Sequence, residues 1–278
     1  MIRDILLQIP TERPVRSVVD GAVSLAAACR AHIDAVAVGY VSESTAYLMD
    51  GGAALASAFE IERERAISRA EAAISVFETE ARAAGISYAC RTIGAFPADA
   101  SASLAAAARL YDLTVVLQPE IDRRTYDNTL PQEILFHSGG PVLFMPYVFR
   151  GAFKAKRIGL CWDGGRLAAR ALRDASPFIA RADNLTIITI NEAEGHPADA
   201  SAQNLAKHLA RHGTPVKTIA LTAAHSDIQP TILSLAAEEG VDLLVMGAYR
   251  HSRLQEMALG GVTRKMLRTM TIPTLMTH

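Results

Sequence analysis

Short apolar runs alternate along the chain with longer stretches in which apolar residues recur at helical spacing. Residues 113–117 and 243–246 are such runs, and they are typical of strands buried on both faces of a parallel sheet. In residues 53–84, apolar side chains such as Ile67, Ala70 and Ile74 recur three and four positions apart, which indicates a helix with one buried face. This alternation predicts right-handed strand–helix–strand crossovers and therefore an α/β protein.

The predicted elements occur twice in the same order. The first half is predicted to contain strands at 5–9, 34–40, 86–93, 113–117 and 142–145, and helices at 15–30, 53–84, 97–110 and just before the last strand. The second half is predicted to contain strands at 157–162, 185–190, 216–221, 243–246 and 274–276, and helices at 166–180, 200–211, 230–239 and from 260 onward.

Matching sequence segments show that this order comes from an internal duplication. The matched pairs are 111–116 with 241–246, 140–144 with 272–276, and 5–10 with 158–163. The stretch Pro146 to Lys156 separates the two copies. We therefore expect two domains, residues 1–148 and 149–278.

Composition narrows the function classes. The chain has 278 residues, half of them apolar, which is enough for two domains with real cores. A net charge of −1 gives no reason to expect a nucleic acid or an anionic membrane as partner. Cys29, Cys90 and Cys161 are scattered and odd in number, which indicates reduced thiols. With neither a leader-like segment nor an apolar stretch of membrane-span length, we expect a cytoplasmic protein.

The candidate binding site follows the fourth predicted strand of the second half. The apolar run ends at Gly247, where backbone can approach a ligand closely. A polar loop containing Arg250 follows, and Gly260 and Gly261 then open a helix. Free N–H groups at the positive end of a helix suit a phosphate.

The glycine spacing resembles that of the universal stress protein family. Its ATP-binding members carry Gly, two residues, Gly, nine residues, Gly, and then Ser or Thr. Gly247 and Gly260 match the first and third glycines, whereas Arg250 and Gly261 replace the second glycine and the Ser or Thr. The chain is thus identified as a tandem, two-domain member of that family.

This resemblance implies a fold and an assembly. Each half is expected to be a Rossmann-like domain of the adenine nucleotide alpha hydrolase type, a five-stranded parallel sheet of order 3-2-1-4-5 with helices on both faces. Family domains pair through their fifth strands, so the two halves are expected to form an intramolecular pseudo-dimer. A homodimer is a further candidate assembly.

The resemblance also implies a set of nucleotide-binding residues in the second half. In the family an Asp after the first strand accepts hydrogen bonds from ribose or adenine, a role that would fall to Asp163. Met246 and Val262 match positions that contact the nucleotide through backbone atoms. The alternative interpretation is that residues 163–165 form only a turn, with Asp163 capping the next helix.

The first half lacks these features, because Pro10, Leu117 and Asn128 stand where the second half has Asp163, Gly247 and Gly260. We therefore expect any nucleotide to bind in the second half only. We also expect Gly247→Leu to abolish ligand binding with little loss of stability, because Leu117 occupies the equivalent place.

Arg250 has two interpretations. Its guanidinium can pair with a phosphate through two hydrogen bonds, or it can occupy the phosphate position and exclude a triphosphate. The exclusion is favoured slightly, because Gly261 also departs from the family pattern.

The sequence favours a stress-response protein that binds a small ligand, ATP or a related adenine nucleotide. The alternatives are a nucleotide-free scaffold that acts through dimerisation and protein partners, and a slow ATP hydrolase that uses Asp163 and a metal. No residue set offers both a base and a nucleophile, so an enzyme is not the favoured class. His208 and His212 lie four apart, but two exposed helix histidines are favoured over a metal site.

Overall fold

The computed structural model describes residues 1–41, 53–120, 123–191, 198–211, 213–248 and 261–278. The chain forms two compact units. Unit 1 comprises Met1–Gly140 and Arg150–Ala152, and unit 2 comprises Pro141–Phe149 and Phe153–His278. Both are mixed α/β structures built on mostly parallel strands, as the sequence predicts.

Unit 1 contains four strands in the order β3-β2-β1-β4, all parallel. Its described strands and α-helices are β1 (Asp4–Ile9), α1 (Arg16–Cys29), β2 (His32–Tyr40), α2 (Ala53–Ala84), β3 (Tyr88–Ala95), α3 (Pro97–Ala107), β4 (Leu113–Leu117) and α4 (Leu130–His137).

The central strands of unit 1 are buried on both faces, which explains their apolar sequences. All of β4 and all of β1 after its first residue are buried, whereas no residue of the edge strand β3 is fully buried. Helix α2 packs closely against β2. A Cβ atom on Gly39 of β2 would lie 2.7 Å from backbone atoms of Ala66 in α2.

Unit 2 contains six strands in the order β5-β10-β9-β6-β7-β8. Its described strands and α-helices are β5 (Val142–Met145), β6 (Arg157–Cys161), α5 (Arg166–Asp174), α6 (Ser176–Ile179), β7 (Asn184–Ile190), α7 (Ala202–Ala210), β8 (Val216–Leu221), α8 (Ile228–Glu238), β9 (Leu243–Gly247), α9 (Val262–Thr269) and β10 (Thr274–Thr277).

The strands of the second half lie in the order 3-2-1-4-5, and they are mutually parallel. Strand β5 joins their far edge by pairing antiparallel with β10, with Leu143 opposite Leu275. Strand β5 is the fifth strand of the first half and β10 is the fifth strand of the second half. Because its partner is β10, β5 packs with unit 2 although it belongs to the first half of the sequence.

One aspartate in each repeat ties two strand starts together. Asp112 accepts hydrogen bonds from the backbone N–H groups of Arg3 and Asp4 through one oxygen, Oδ2. Asp242 accepts from the N–H groups of Lys156 and Arg157 through its two separate oxygens. The matched segments that reveal the duplication therefore perform the same structural task.

The predicted helix at 166–180 is two helices, α5 and α6. Pro177 stands in the first turn of α6 and has no backbone N–H with which to continue the hydrogen bonds of α5. None of the described helices is long and apolar enough to span a membrane.

Candidate functional site

The carboxyl ends of β6 and β9 form the candidate site in unit 2. The strands are parallel neighbours, with Ile158 opposite Leu243, and β7 flanks β6 on its other side. The strand order reverses at this point, and open α/β sheets bind ligands beyond such a reversal. Asp163 follows β6, and Gly247 ends β9.

Asp163 shapes the turn between β6 and α5. Its Oδ1 accepts a hydrogen bond from the backbone N–H of Gly165 at 2.8 Å. Gly164 has a φ of +66°, a conformation that favours glycine. Gly165 is the N-cap of α5, so Asp163 forms the predicted turn directly before the helix.

Gly247 contacts helix α5. A Cβ atom there would lie 2.7 Å from the backbone carbonyl carbon of Leu167 and 2.8 Å from the backbone nitrogen of Ala168. Real Cβ atoms do not approach backbone so closely, so this position needs glycine for packing. The expectation that Gly247→Leu would be tolerated by the fold is therefore wrong.

The different connections explain why Leu117 is accepted in unit 1. The connection from β6 to α5 is residues 162–165, whereas the connection from β1 to α1 is residues 10–15. Because this connection is shorter, α5 begins sooner after its strand. Leu167, the second residue of α5, lies over the end of β9.

The other predicted site residues are placed in part. Met246 is buried near the end of β9, with 4% of its surface exposed. Gly261 is the N-cap of α9, and its carbonyl accepts the N–H of Lys265. Val262 is half-buried at the first position of that helix. Arg250 and Gly260 lie outside the described residues.

The corresponding crevice of unit 1 is filled by the chain itself. Asp127 is 2% exposed, and its Oδ2 accepts the backbone N–H groups of Thr11 and Glu12, just after β1, at 2.9 and 2.7 Å. Glu12 in turn accepts the backbone N–H of Tyr126 through Oε2 at 2.7 Å. The segment that follows β4 is thereby fastened over the end of β1.

Arg13 completes this closure. Its buried guanidinium donates to the backbone carbonyl of Gln118, at the end of β4, and to Oδ1 of Asn128. The same Asn128 oxygen accepts the backbone N–H of Glu120. Asn128, where the second repeat has Gly260, thus holds the closed segment together.

Burial raises the pKa values of two side chains at this closure, Asp127 and Tyr40. The pKa of Asp127 is raised from 3.8 to about 6, mainly by burial; the backbone hydrogen bonds from Glu12 and Thr11 oppose the rise, and the charge of Glu12 adds to it. Burial, together with the charge of Asp127, also raises the pKa of Tyr40 well above its ordinary value.

Sequence reasoning did not identify Arg13 or Asp127. The available signal was that opposite charges lie shortly after β1, at 12–13, and in the segment after β4, at 127, where the second half has glycines and Asp163. Within the described ranges, no group of three or more His, Cys, Asp or Glu side chains is placed to hold a metal. His208 is exposed, and His212 lies outside the described residues.

Comparison with known proteins shows which family the second half of the chain is similar to. Residues 154–278 match the model of the universal stress protein family. The universal stress protein Slr1230 of Synechocystis is 28% identical over 137 residues, which are 49% of this chain and 46% of that protein. The chain thus spans about half the length of the curated relative that it matches.

Solved structures share the fold over nearly the whole chain. A universal stress protein from Archaeoglobus fulgidus is 16% identical with a TM-score of 0.72, and the match covers 98% of this chain and 95% of that one. A Pseudomonas aeruginosa protein named for the same family is 16% identical with a TM-score of 0.60, covering 99% and 93%.

These findings define the class and then the family. Parallel strands in the order 3-2-1-4-5, with helices in the connections, make this a Rossmann-like α/β protein. Residues 154–278, the second half of the chain, match the universal stress protein family.

Proposed function

We propose that this protein binds an adenine nucleotide, ATP or a relative, in unit 2 at the carboxyl ends of β6 and β9. The observation that carries this proposal is that Asp163 and Gly247 follow neighbouring parallel strands where the strand order reverses. Gly261 is the N-cap of α9, the next helix that the structure describes, and the first turn of this helix offers backbone N–H groups to a phosphate.

In this proposal, unit 1 has a structural or regulatory role. The crevice beyond its β1 and β4 already holds Asp127, Arg13 and Asn128 in hydrogen bonds, so a nucleotide would have to displace them. The antiparallel pairing of β5 with β10 supports a pseudo-dimer of the two repeats within one chain. The three free cysteines support a reducing compartment, the cytoplasm, where the protein acts in stress survival.

A calorimetric titration of ATP into the intact protein tests the site. Asp163→Asn keeps an oxygen that can accept the N–H of Gly165, so the turn survives while the charge is lost. We expect this variant to bind ATP about tenfold more weakly, since a hydrogen bond to a charged group contributes about 1.5 kcal/mol or more. Asp183→Asn, at an exposed side chain, is the matched control. Equal affinity of all three proteins would refute the assigned site.

The second candidate is a nucleotide-free scaffold that acts through dimerisation and protein partners. One observation favours this function. Gly247 is needed for packing against α5, and Asp163 forms the turn before α5, so neither residue requires a ligand to explain its presence. Mass spectrometry of small molecules released from protein purified without added nucleotide separates the two functions. A stoichiometric adenine nucleotide supports the first, and its absence together with no saturable ATP titration supports the scaffold.

A further inference from the structure

A groove in unit 2 lies apart from the crevice of β6 and β9. It has a volume of about 510 Å³, and its walls come from α5 and α6 on one side and the last turn of α7 on the other. Neither Asp163 nor Gly247 lines it. The volume falls within the range of about 300 to 1,000 Å³ that is typical of small-molecule sites.

One wall is a continuous stripe on two successive helices. The lining positions of α5 and α6 recur at the three- and four-residue spacing of a single helix face: Ala169, Leu172, Arg173, Ser176, Ile179 and Ala180. Amphipathic helices normally turn such an apolar stripe toward the core. Here part of the stripe faces the groove, and Leu172 remains half-exposed.

The floor of the groove is apolar and held in place. The indole N–H of Trp162 donates to the backbone carbonyl of Ala200 at 2.8 Å, which fixes the ring and satisfies its polar atom. Leu209 of α7 lies on the opposite wall. An apolar ligand body therefore meets preformed hydrophobic surface without leaving a buried polar group unpaired.

The charge of the lining has one sign. Arg173 is the charged side chain among the described residues that line the groove, His208 lies on the opposite wall, and none of these described residues is a carboxylate. The neighbouring Asp174 pairs with Arg170 at 3.8 Å. Burial raises the pKa of Asp174, and the positive charges of Arg170 and Arg173 act against that rise. A guanidinium at the rim suits a carboxylate.

We propose that this groove binds a small amphipathic carboxylate, with its apolar body against Trp162, Leu172 and Leu209 and its head group at Arg173. The site is separate from the proposed nucleotide site and does not depend on it. It makes unit 2 a receptor for an acid with a medium-length alkyl chain or an aromatic ring.

The molecule supplies its own reporter, because Trp162 is the sole tryptophan of the chain. Decanoate titrated into the intact protein should change the Trp162 emission saturably, with one molecule bound per chain by calorimetry. Arg173→Gln should weaken this binding by about tenfold. Arg170→Gln, on the same helix but outside the lining, is the matched control and should bind as the parent does.

A second variant tests the cavity rather than the charge. Ala169→Leu places extra side-chain volume in the groove and should weaken decanoate binding at least as strongly, with unchanged circular dichroism to show that the helices remain. Decyltrimethylammonium, a cation with the same alkyl chain, should bind weakly or not at all. Absence of saturable decanoate binding by both methods, or equal binding of the cation, would overturn the proposal.

Discussion

A Cβ atom on Gly247 would lie 2.7 Å from the backbone carbonyl carbon of Leu167. The end of β9 and the first turn of α5 are therefore as close as a glycine allows. Any ligand at this edge of the sheet meets a glycine whose open side is already covered by a helix. The ligand must accordingly approach Gly247 through its backbone and not through the space of a missing side chain.

Enlarging this glycine should damage the fold. We expect Gly247→Ala to lower the free energy of unfolding by about 1 to 3 kcal/mol, the usual range for overpacking, and Gly247→Leu by more. Urea denaturation followed by circular dichroism measures both. Gly140→Ala is the control, because its Cβ would lie in ordinary contact, 4.0 Å from the carbonyl oxygen of Ala108, and the substitution should cost under about 0.5 kcal/mol. A Leu variant as stable as the parent would contradict this packing.

The two repeat aspartates should respond differently to the same substitution. Asp112→Asn keeps one oxygen that can accept both N–H groups, as Oδ2 does now. The N–H groups of Lys156 and Arg157 donate to separate oxygens of Asp242. Asp242→Asn replaces one of these oxygens with an NH₂ group, which cannot accept a hydrogen bond. We expect Asp242→Asn to be more destabilising by about 1 kcal/mol, the net value of one hydrogen bond. Hydrogen exchange at the four amides checks this, and equal protection in the two variants would argue against it.

Asp127 should make unit 1 more stable in mild acid. Its pKa is about 6 in the folded chain against an ordinary 3.8, so between these values the folded state binds more protons than the unfolded state. This group's contribution to stability is therefore complete below about pH 4 and is lost as the pH rises through 6, with a size of roughly 2 to 3 kcal/mol.

Asp127→Asn should remove that pH dependence, because Asn keeps an oxygen for the N–H groups of Thr11 and Glu12 and carries no charge. Urea denaturation at pH 5.0 and 7.5 compares this variant with the parent and with Asp183→Asn, an exposed control. The same pH dependence in all three proteins would show that Asp127 is not the titrating group.

Arg250 should decide whether a triphosphate binds. If its side chain occupies the phosphate position, Arg250→Gly restores the family glycine and strengthens ATP binding, and this is the outcome we expect. If it pairs with a phosphate, the same substitution weakens binding by roughly ten- to a hundredfold. Titrations of both proteins at low and high salt distinguish these outcomes, and an unchanged affinity would refute both roles.

The fold was largely predictable because a strand that is buried on both faces is a local run of apolar residues. Runs such as 113–117 and 243–246 are apolar because both faces of β4 and β9 are covered, and the duplicated segments gave the order of elements. The division of 166–180 at Pro177 was missed, because a proline in the first turn of a second helix looks like one inside a longer helix.

The site was less predictable, because its contacts join residues far apart in sequence. Gly247 faces Leu167 because the connection after β6 is short. No local sequence pattern predicts this contact. The bonds from Asp127 to Thr11 and Glu12 span more than a hundred residues, and the groove beside Trp162 forms only when α5, α6 and α7 pack together.

The most direct test of the central claim is photolabelling of the intact protein with 8-azido-ATP, in competition with ATP, followed by peptide mapping. Binding in unit 2 predicts ATP-protected label on peptides around Asp163 or around β9 and the start of α9, and none in unit 1. Protected label on peptides containing Pro10 or Leu117, or no protected label anywhere, would contradict it.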